Sequence, residues 1–324
     1  MAAPPTPSID PHRLLVFRAV GRRGSLSGAA RELGWTQPAV SQHLKRLERD
    51  LGQPLVHRTA RGVRLTEAGV ALLRHADAVA ARLVLAAEEM AALADLRAGR
   101  LRFASFPSAS ATIVPTALAL LAERHPQLEV RLTEVEPAAA RQLLLQGDVD
   151  LALVFTHDDV PEPDDDLVLT ALTTDPIRAV LPHDHPLAGA GEVPLELLRD
   201  ERWVAGCIRC RTHLLACSAA AGFTPDIRHT TDDYVVTQTL VSAGLGIALL
   251  PQLALDAARP AHTATVDLRP AQQRRLHLAH VPGAEGIPAV SATVQAVLEV
   301  SGTAGAGRSR RAARNGAGRP ATEG

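Results

Sequence analysis

Residues 25–66 carry two short helix signals, a glycine stop between them and a basic hairpin, an order that fits a winged helix-turn-helix. Ser25-Leu26-Ser27-Gly28-Ala29-Ala30-Arg31-Glu32-Leu33 reads as the first helix. Gly34 ends it, as expected where the chain must turn left-handed. Thr36 is the expected N-cap of a second helix through Glu48, and Pro38 falls in its first turn, where a missing N–H costs little. Val40, Leu44, Leu47 and Leu51 recur at helical spacing and form one inward stripe. The other face carries Gln37, Ser41 and Lys45 on one ridge, with Gln42, Arg46 and Arg49 beside it. Amides and hydroxyls at the start of such a helix suit base edges, and cations further along suit phosphates. Leu55–Arg58 and Val63–Leu65 read as two strands of a wing carrying Arg58, Arg61 and Arg64.

The charge distribution points the same way. The whole chain is almost neutral, at −1, yet residues 1–66 hold 11 basic and 4 acidic side chains. The remainder holds 23 basic and 31 acidic ones. A basic head on an acidic body is expected when only the head meets a polyanion.

The stretch from Ala29-Ala30 through Thr36-Gln37-Pro38-Ala39-Val40-Ser41, Leu47-Glu48, Leu51-Gly52, Pro54-Leu55 and Arg58 to Leu65-Thr66-Glu67-Ala68-Gly69 resembles the LysR-type transcriptional regulators. Size and domain order agree over roughly residues 9–300. His57 departs from the pattern, in a strand position where the family usually has an aromatic or aliphatic residue. The resemblance implies double-stranded DNA as a partner, a homodimer or homotetramer, and a small-molecule effector whose identity it does not give. It implies DNA contacts at Ser27, Thr36, Gln37, Pro38, Ser41, Gln42, Lys45, Arg58, Arg61 and Arg64.

The expected fold class is α/β with an all-α-type head: a winged helix-turn-helix over 9–66, a linker helix over 67–98, and a two-lobed, periplasmic-binding-protein-like effector domain over 99–300. Lobe I would comprise about 99–166 and 268–300, and lobe II about 167–267. In the linker, Leu72, Ala76, Val79, Leu83, Ala86, Met90 and Leu93 alternate spacings of four and three, a seam that calls for a second copy of the chain. From Arg100, strand and helix patterns alternate, with strands at Leu101–Phe106, Leu128–Thr133 and Leu151–Phe155, which predicts a parallel sheet. Asp158–Asp166 reads as an acidic connection, and the Gly-, Ala- and Arg-rich 301–324 as a disordered tail.

In such domains ligands sit at strand carboxyl ends beside helix starts. Ser108 and Ser110 after the first strand, and Thr231 before a later helix, fit that position. By resemblance they face an interlobe cleft together with Gly206 and Cys207, although helix capping is the commoner role of an isolated Ser or Thr. Cys210, His213 and Cys217 share a helix face, with Cys207 just ahead. These side chains allow three readings: buried packing, a reactive thiol beside Arg209 and Arg211, or a Zn²⁺ or Cu⁺ site. His183-Asp184-His185-Pro186 reads as a turn.

Nucleophile-elbow, phosphate-loop and zincin motifs are missing from the sequence, so neither an enzyme nor a cofactor is expected. The Pro- and Ala-rich start lacks the apolar stretch of a signal peptide, and no run approaches a membrane span. Three cysteines do not make a disulfide framework, so the expected compartment is the cytoplasm. With 46% hydrophobic but only 2% aromatic residues, the cores are expected to consist of Ala, Leu and Val.

Overall fold

A computed structural model describes residues 9–59, 62–93, 99–157, 166–258 and 261–316. The chain divides into two compact units, one of residues up to Ala94 with Gln142–Asp148, the other of Asp95–Arg141 and the residues from Val149 on. The head comprises α1 (Pro11–Arg23), α2 (Leu26–Leu33), α3 (Gln37–Leu51), β1 (Val56–Thr59), β2 (Gly62–Leu65) and α4 (Glu67–Leu93). Ser25 caps α2 by accepting from Gly28 N at 3.0 Å, and Gly34 closes it at φ 67°. Thr36 occupies the N-cap position of α3 but makes no side-chain capping bond there.

Val40, Leu44 and Leu47 are fully buried against Phe17, Val20, Ala29 and Leu55, as the stripe predicts. Glu48 fastens the wing to α3: its carboxylate accepts from Leu55 N at 2.9 Å and Val56 N at 3.3 Å. Thr66 donates to Pro54 O at 2.9 Å and accepts from Gly69 N at 2.9 Å. Gly69 is required there, because a Cβ would stand 2.1 Å from Leu55 O.

The linker seam is divided in two. Leu72 and Ala76 belong to the head's own core, whereas Val79, Leu83, Ala86 and Met90 face solvent. The seven-residue seam read as one dimer contact is therefore shorter by two positions. The Leu93 side chain and residues 94–98 lie outside the described set.

The second unit is built on one eight-stranded sheet. Its first strands and helices are β3 (Arg100–Ser105), α5 (Pro107–Ser110), α6 (Ile113–Arg124), β4 (Glu129–Glu134), α7 (Pro137–Gln146) and β5 (Leu151–His157). The 15-residue β6 (Val168–Pro182) follows, then β7 (Glu192–Pro194), β8 (Arg202–Ala205), α8 (Ile208–Ala220), β9 (Asp226–Thr230) and α9 (Tyr234–Ser242). The chain ends with β10 (Ala248–Pro251), α10 (Gln252–Ala257), β11 (Thr263–Arg269), β12 (Gln272–His280) and α11 (Pro288–Gly316).

The sheet order is β4-β3-β5-β12-β6-β11-β7, with β10 also on β6, while β8 and β9 pair separately. Its first part is parallel, as expected for βαβ crossovers: β3 pairs parallel with β4 and β5, and at the far edge β7 also pairs parallel with β11. β12 then returns antiparallel to β5 and β6, so the sheet is mixed and two long strands link the lobes. The second lobe buries Leu181, Val193, Leu198, Trp203, Leu214, Cys217 and Val266.

Alanine, leucine and valine dominate these cores, and four of the five phenylalanines and Trp203 join them. At the far end α11 continues to Gly316, where a disordered tail was expected from 301; alanine and arginine are good helix formers, which favours the continuation. Residues 158–165 of the acidic connection and 317–324 of the tail are outside the described set, as is the Pro- and Ala-rich start through Ser8. Among the described residues no helix is long and apolar enough to cross a membrane.

Candidate functional site

Two places concentrate polar chemistry. On the head, α3 presents Gln37, Pro38, Gln42 and Lys45 to solvent, with Ser41 half-buried and Thr36 exposed at its start. Ser27 on α2 reaches toward the same ridge, its hydroxyl 3.4 Å from Gln37 Oε1. Arg58 and Arg64 are exposed on adjacent wing strands, and Arg58 Nη2 donates to Ser41 Oγ at 2.8 Å. Arg61 lies outside the described residues. His57, opposite Arg64 in the ladder, is exposed rather than packed, so its departure from an apolar residue leaves the hairpin intact. The structure thus gathers polar and cationic groups from α2, α3 and the wing around one exposed face.

The second place is the cleft between the two lobes, lined in part by Phe106, Ser108, Glu136, Gly206, Cys207, Cys210, Thr231 and Arg274, with a cavity of about 50 Å³. Its centre is an ion pair that sequence reasoning missed. Arg274, 3% exposed, donates to Asp175 Oδ2 at 3.0 Å from Nε and 2.9 Å from Nη2, and to Ser108 Oγ at 2.7 Å. Asp175, fully buried, also accepts from Leu253 N at 3.1 Å. The Arg274 guanidinium lies over the rings of Phe106 and Phe155, 4.8 and 4.5 Å from their centroids, a cation–π arrangement. A signal existed: Arg274 is in phase with inward Leu276 and Leu278, and Asp175 with inward Ile177 and Ala179. Two opposite charges in inward registers need each other.

Of the expected effector residues, Ser108, Gly206, Cys207 and Thr231 line this cleft, but Ser110 does not. Ser110 ends the single turn of α5, after the chain has passed the cleft. Ser108 is held by Arg274. Thr231 Oγ1 accepts from Asp233 N at 3.2 Å, while Asp233 itself caps α9.

Cys207 is the N-cap residue of α8, and its Sγ donates to Cys210 Sγ at 3.3 Å. That bond holds the Cys210 thiol well below the ordinary thiol range, with His157 and Arg274 assisting against the opposing effect of burial. The same bond, together with burial, pushes Cys207 up. Burial also raises the Glu136 carboxyl nearby.

The expected three-residue face does not converge. Cys217 packs in the second-lobe core and donates to Leu214 O at 3.3 Å. His213 instead stacks on His157, rings 4.1 Å apart and 9° from parallel. No cluster of three or more His, Cys, Asp or Glu side chains suited to a metal occurs among the described residues. His183 and His185 sit in a turn, where His185 is 3.1 Å from Glu201.

Residues 11–70 match the model of the bacterial regulatory helix-turn-helix proteins of the lysR family, and residues 94–302 match the LysR substrate binding domain. This chain belongs to the LysR family of transcriptional regulators. That is a family of DNA-binding regulators, not enzymes.

A Mycobacterium avium protein named "Probable hydrogen peroxide-inducible genes activator" is 35% identical over 258 residues, covering 75% of this regulator and 78% of the relative. The HTH-type transcriptional regulator TtuA of Agrobacterium vitis is 31% identical, covering 74% and 79%. Among solved structures, a full-length OxyR point variant from Pseudomonas aeruginosa superposes at TM-score 0.65, with 21% identity and coverage of 91% and 95%. Full-length CbnR complexed with its target DNA gives 0.57, with 20% identity and coverage of 90% and 99%. At such identities the superpositions speak for the regulator's fold: a helix-turn-helix head followed by a two-lobed α/β domain.

Proposed function

We propose that this regulator reads the redox state of its surroundings through the Cys207–Cys210 pair and transmits it to a DNA-binding head. The observation that carries the reading is the 3.3 Å approach of the two sulfurs, one acidified and the other held protonated. This is the asymmetry needed for one thiolate to attack and one thiol to resolve. The relatives named for hydrogen peroxide-inducible gene activation lend it support.

The Cys210 thiolate attacks one oxygen of hydrogen peroxide. The O–O bond breaks, and the departing hydroxide takes up a proton to become water. Cys207 sulfur then attacks the resulting sulfenic acid, the S–S bond forms and the S–O bond breaks. A second water leaves with the Cys207 proton, so the protein loses two electrons and that one proton, while the hydroxide of the first step takes its proton from solvent and the peroxide is reduced to two waters.

On the head, Gln37, Ser41 and Gln42 read base edges, with Ser27, Thr36 and Pro38 shaping the helix start, and Lys45, Arg58, Arg61 and Arg64 hold phosphates. Exposed Val79, Leu83, Ala86 and Met90 on α4 support pairing with a second copy of the chain. The regulator works in the cytoplasm, where a thiol pair rests reduced.

A small-molecule effector in the same cleft is the second reading, favoured by Ser108, Gly206 and Thr231 around the cavity. The small cavity and the engagement of Ser108 by Arg274 put it behind the thiol reading. The deciding experiment exposes reduced full-length regulator to hydrogen peroxide, then compares its footprint on DNA upstream of its own gene with the peptide masses. The expected result is a changed footprint together with a Cys207–Cys210 disulfide, both absent in Cys210→Ser. An unchanged footprint on fully oxidised protein would overturn the thiol reading.

A further inference from the structure

The Cys207 thiol faces two acceptors. One is the Cys210 sulfur at 3.3 Å, and the other is the carboxyl of Glu136, which lines the same cleft. Glu136 lies between β4 and α7, in backbone held on both sides: Val135 N donates to Ser105 O at 2.9 Å, and Glu136 O accepts from Ala140 N at 3.0 Å. Its Oε2 is buried, with no hydrogen-bond donor among the described residues. Burial raises the carboxyl, and the Cys207 thiol opposes that by donating to it; the charges of Cys210 and Asp232 raise it further, and Arg274 lowers it. These groups face it from α8, from the turn before α9 and from β12. A thiol has one proton, so Cys207 gives it to one acceptor at a time. While Cys210 is a thiolate, that sulfur takes the bond. Oxidation of Cys210 to a sulfenic acid removes the charge, and the Glu136 carboxylate becomes the stronger acceptor of the two.

We propose that Glu136 carries the proton in the disulfide-forming step: it takes the Cys207 proton as that sulfur attacks the Cys210 sulfenic acid, and gives it to the departing hydroxide. This rests on the thiol reading above. The S–S bond forms, the S–O bond of Cys210 breaks, and the hydroxide leaves as water with the proton that Glu136 carried. The carboxylate ends as it began, and the step needs no oxidant beyond the peroxide already spent. A carboxyl raised by burial takes a proton from a thiol more readily than an ordinary one, and still releases it to hydroxide. A fixed negative charge without proton transfer has the opposite effect. The Glu136 charge helps to keep the proton on Cys207, so removing a mere charge would free the Cys207 thiolate and speed its attack.

The test is single-turnover oxidation of reduced, full-length regulator by one equivalent of hydrogen peroxide. Dimedone traps the sulfenic acid, and peptide mass analysis follows the disulfide. Glu136→Gln, which keeps the shape of the side chain, forms the sulfenic acid at the wild-type rate, and that rate also reports an intact cleft. It then closes the disulfide about 100-fold more slowly, as expected on losing a positioned general base, so the sulfenic acid accumulates. In the wild type, closure slows as pH falls through the Glu136 value, and Glu136→Gln loses that dependence. Formate restores closure to Glu136→Ala in proportion to its concentration, which a loss of packing alone would not allow. Closure in Glu136→Gln as fast as in the wild type, or faster, would overturn the relay and leave the thiol reading standing. A wild-type protein that forms neither sulfenic acid nor disulfide would remove both.

Discussion

Arg58 in the wing and Ser41 on α3 are joined by a 2.8 Å hydrogen bond, so the cation proposed to hold phosphate and the hydroxyl proposed to read a base edge are one unit before DNA arrives. Arg58→Ala should weaken binding to every DNA sequence alike and lower the salt slope by about one. It should also release Ser41, so Arg58→Ala and Ser41→Ala should be non-additive by about 0.5–3 kcal/mol in a double-mutant cycle of operator affinity. Gln37→Ala should instead flatten base preference with the salt slope unchanged. Strict additivity of the first two substitutions would show that the pair separates in the complex.

The divided seam of α4 gives a discriminating comparison. Leu83, 53% exposed, should tolerate aspartate in the monomer, so Leu83→Asp should yield a folded, dissociated protein that fails to bind its operator. Leu72, buried in the head core, should not tolerate it, and Leu72→Asp should unfold the head through an unpaired buried charge. Sedimentation and circular dichroism on the two variants separate these outcomes. An unchanged oligomer for Leu83→Asp would mean that the exposed stripe packs elsewhere.

The buried pair of Arg274 and Asp175 should be costly to break from one side. Arg274→Met leaves the Asp175 carboxylate without its cation and should destabilise the effector domain by about 3–5 kcal/mol in a denaturant melt. Arg274→Met/Asp175→Leu should recover much of that loss, because no charge remains to desolvate. A single substitution costing less than the double one would contradict the pairing.

Thiol acidity sets a pH dependence. Because the Cys210 pKa is lowered, its thiolate persists to lower pH than that of an ordinary thiol and disappears only as pH falls through the shifted value. Iodoacetamide labelling followed by peptide mass analysis should find Cys210 modified first at pH 7, with Cys207 and Cys217 slow. An ordinary thiol, with a pKa of about 8.5, would lose its reactivity well above that pH. His157→Phe and Arg274→Met should each move the Cys210 profile upward. Equal labelling of all three cysteines would remove the asymmetry.

Much of the head is legible in sequence because its determinants are local. Gly34, Ser25 and the Val40–Leu44–Leu47 stripe each act within a turn or two of chain, and the structure places all of them as spacing predicts. The effector domain is less legible where its partners are distant. Arg274 and Ser108 are 166 positions apart, and nothing near either announces the other. β6 is hidden by Pro176 in its middle, a residue that argues against a strand, yet it pairs along one edge with β12 and then β11, and along the other with β10. The thiol pair is intermediate: the spacing of 207 and 210 could be read, but the acidifying surroundings of His157 and Arg274 come from β5 and β12.

The seating of Gly69 against Leu55 O, with Leu72 and Ala76 sunk in the head core and Arg18 bonded to Asp77 at 2.7 Å, leaves no joint between the wing and the first turns of α4. Helix and head therefore turn as a single lever. Its 27 residues, at ~1.5 Å each, give an arm of ~40 Å. Where two such arms cross, a change of ~5° in their angle displaces a recognition helix by ~3.5 Å, close to the ~3.4 Å step between stacked base pairs.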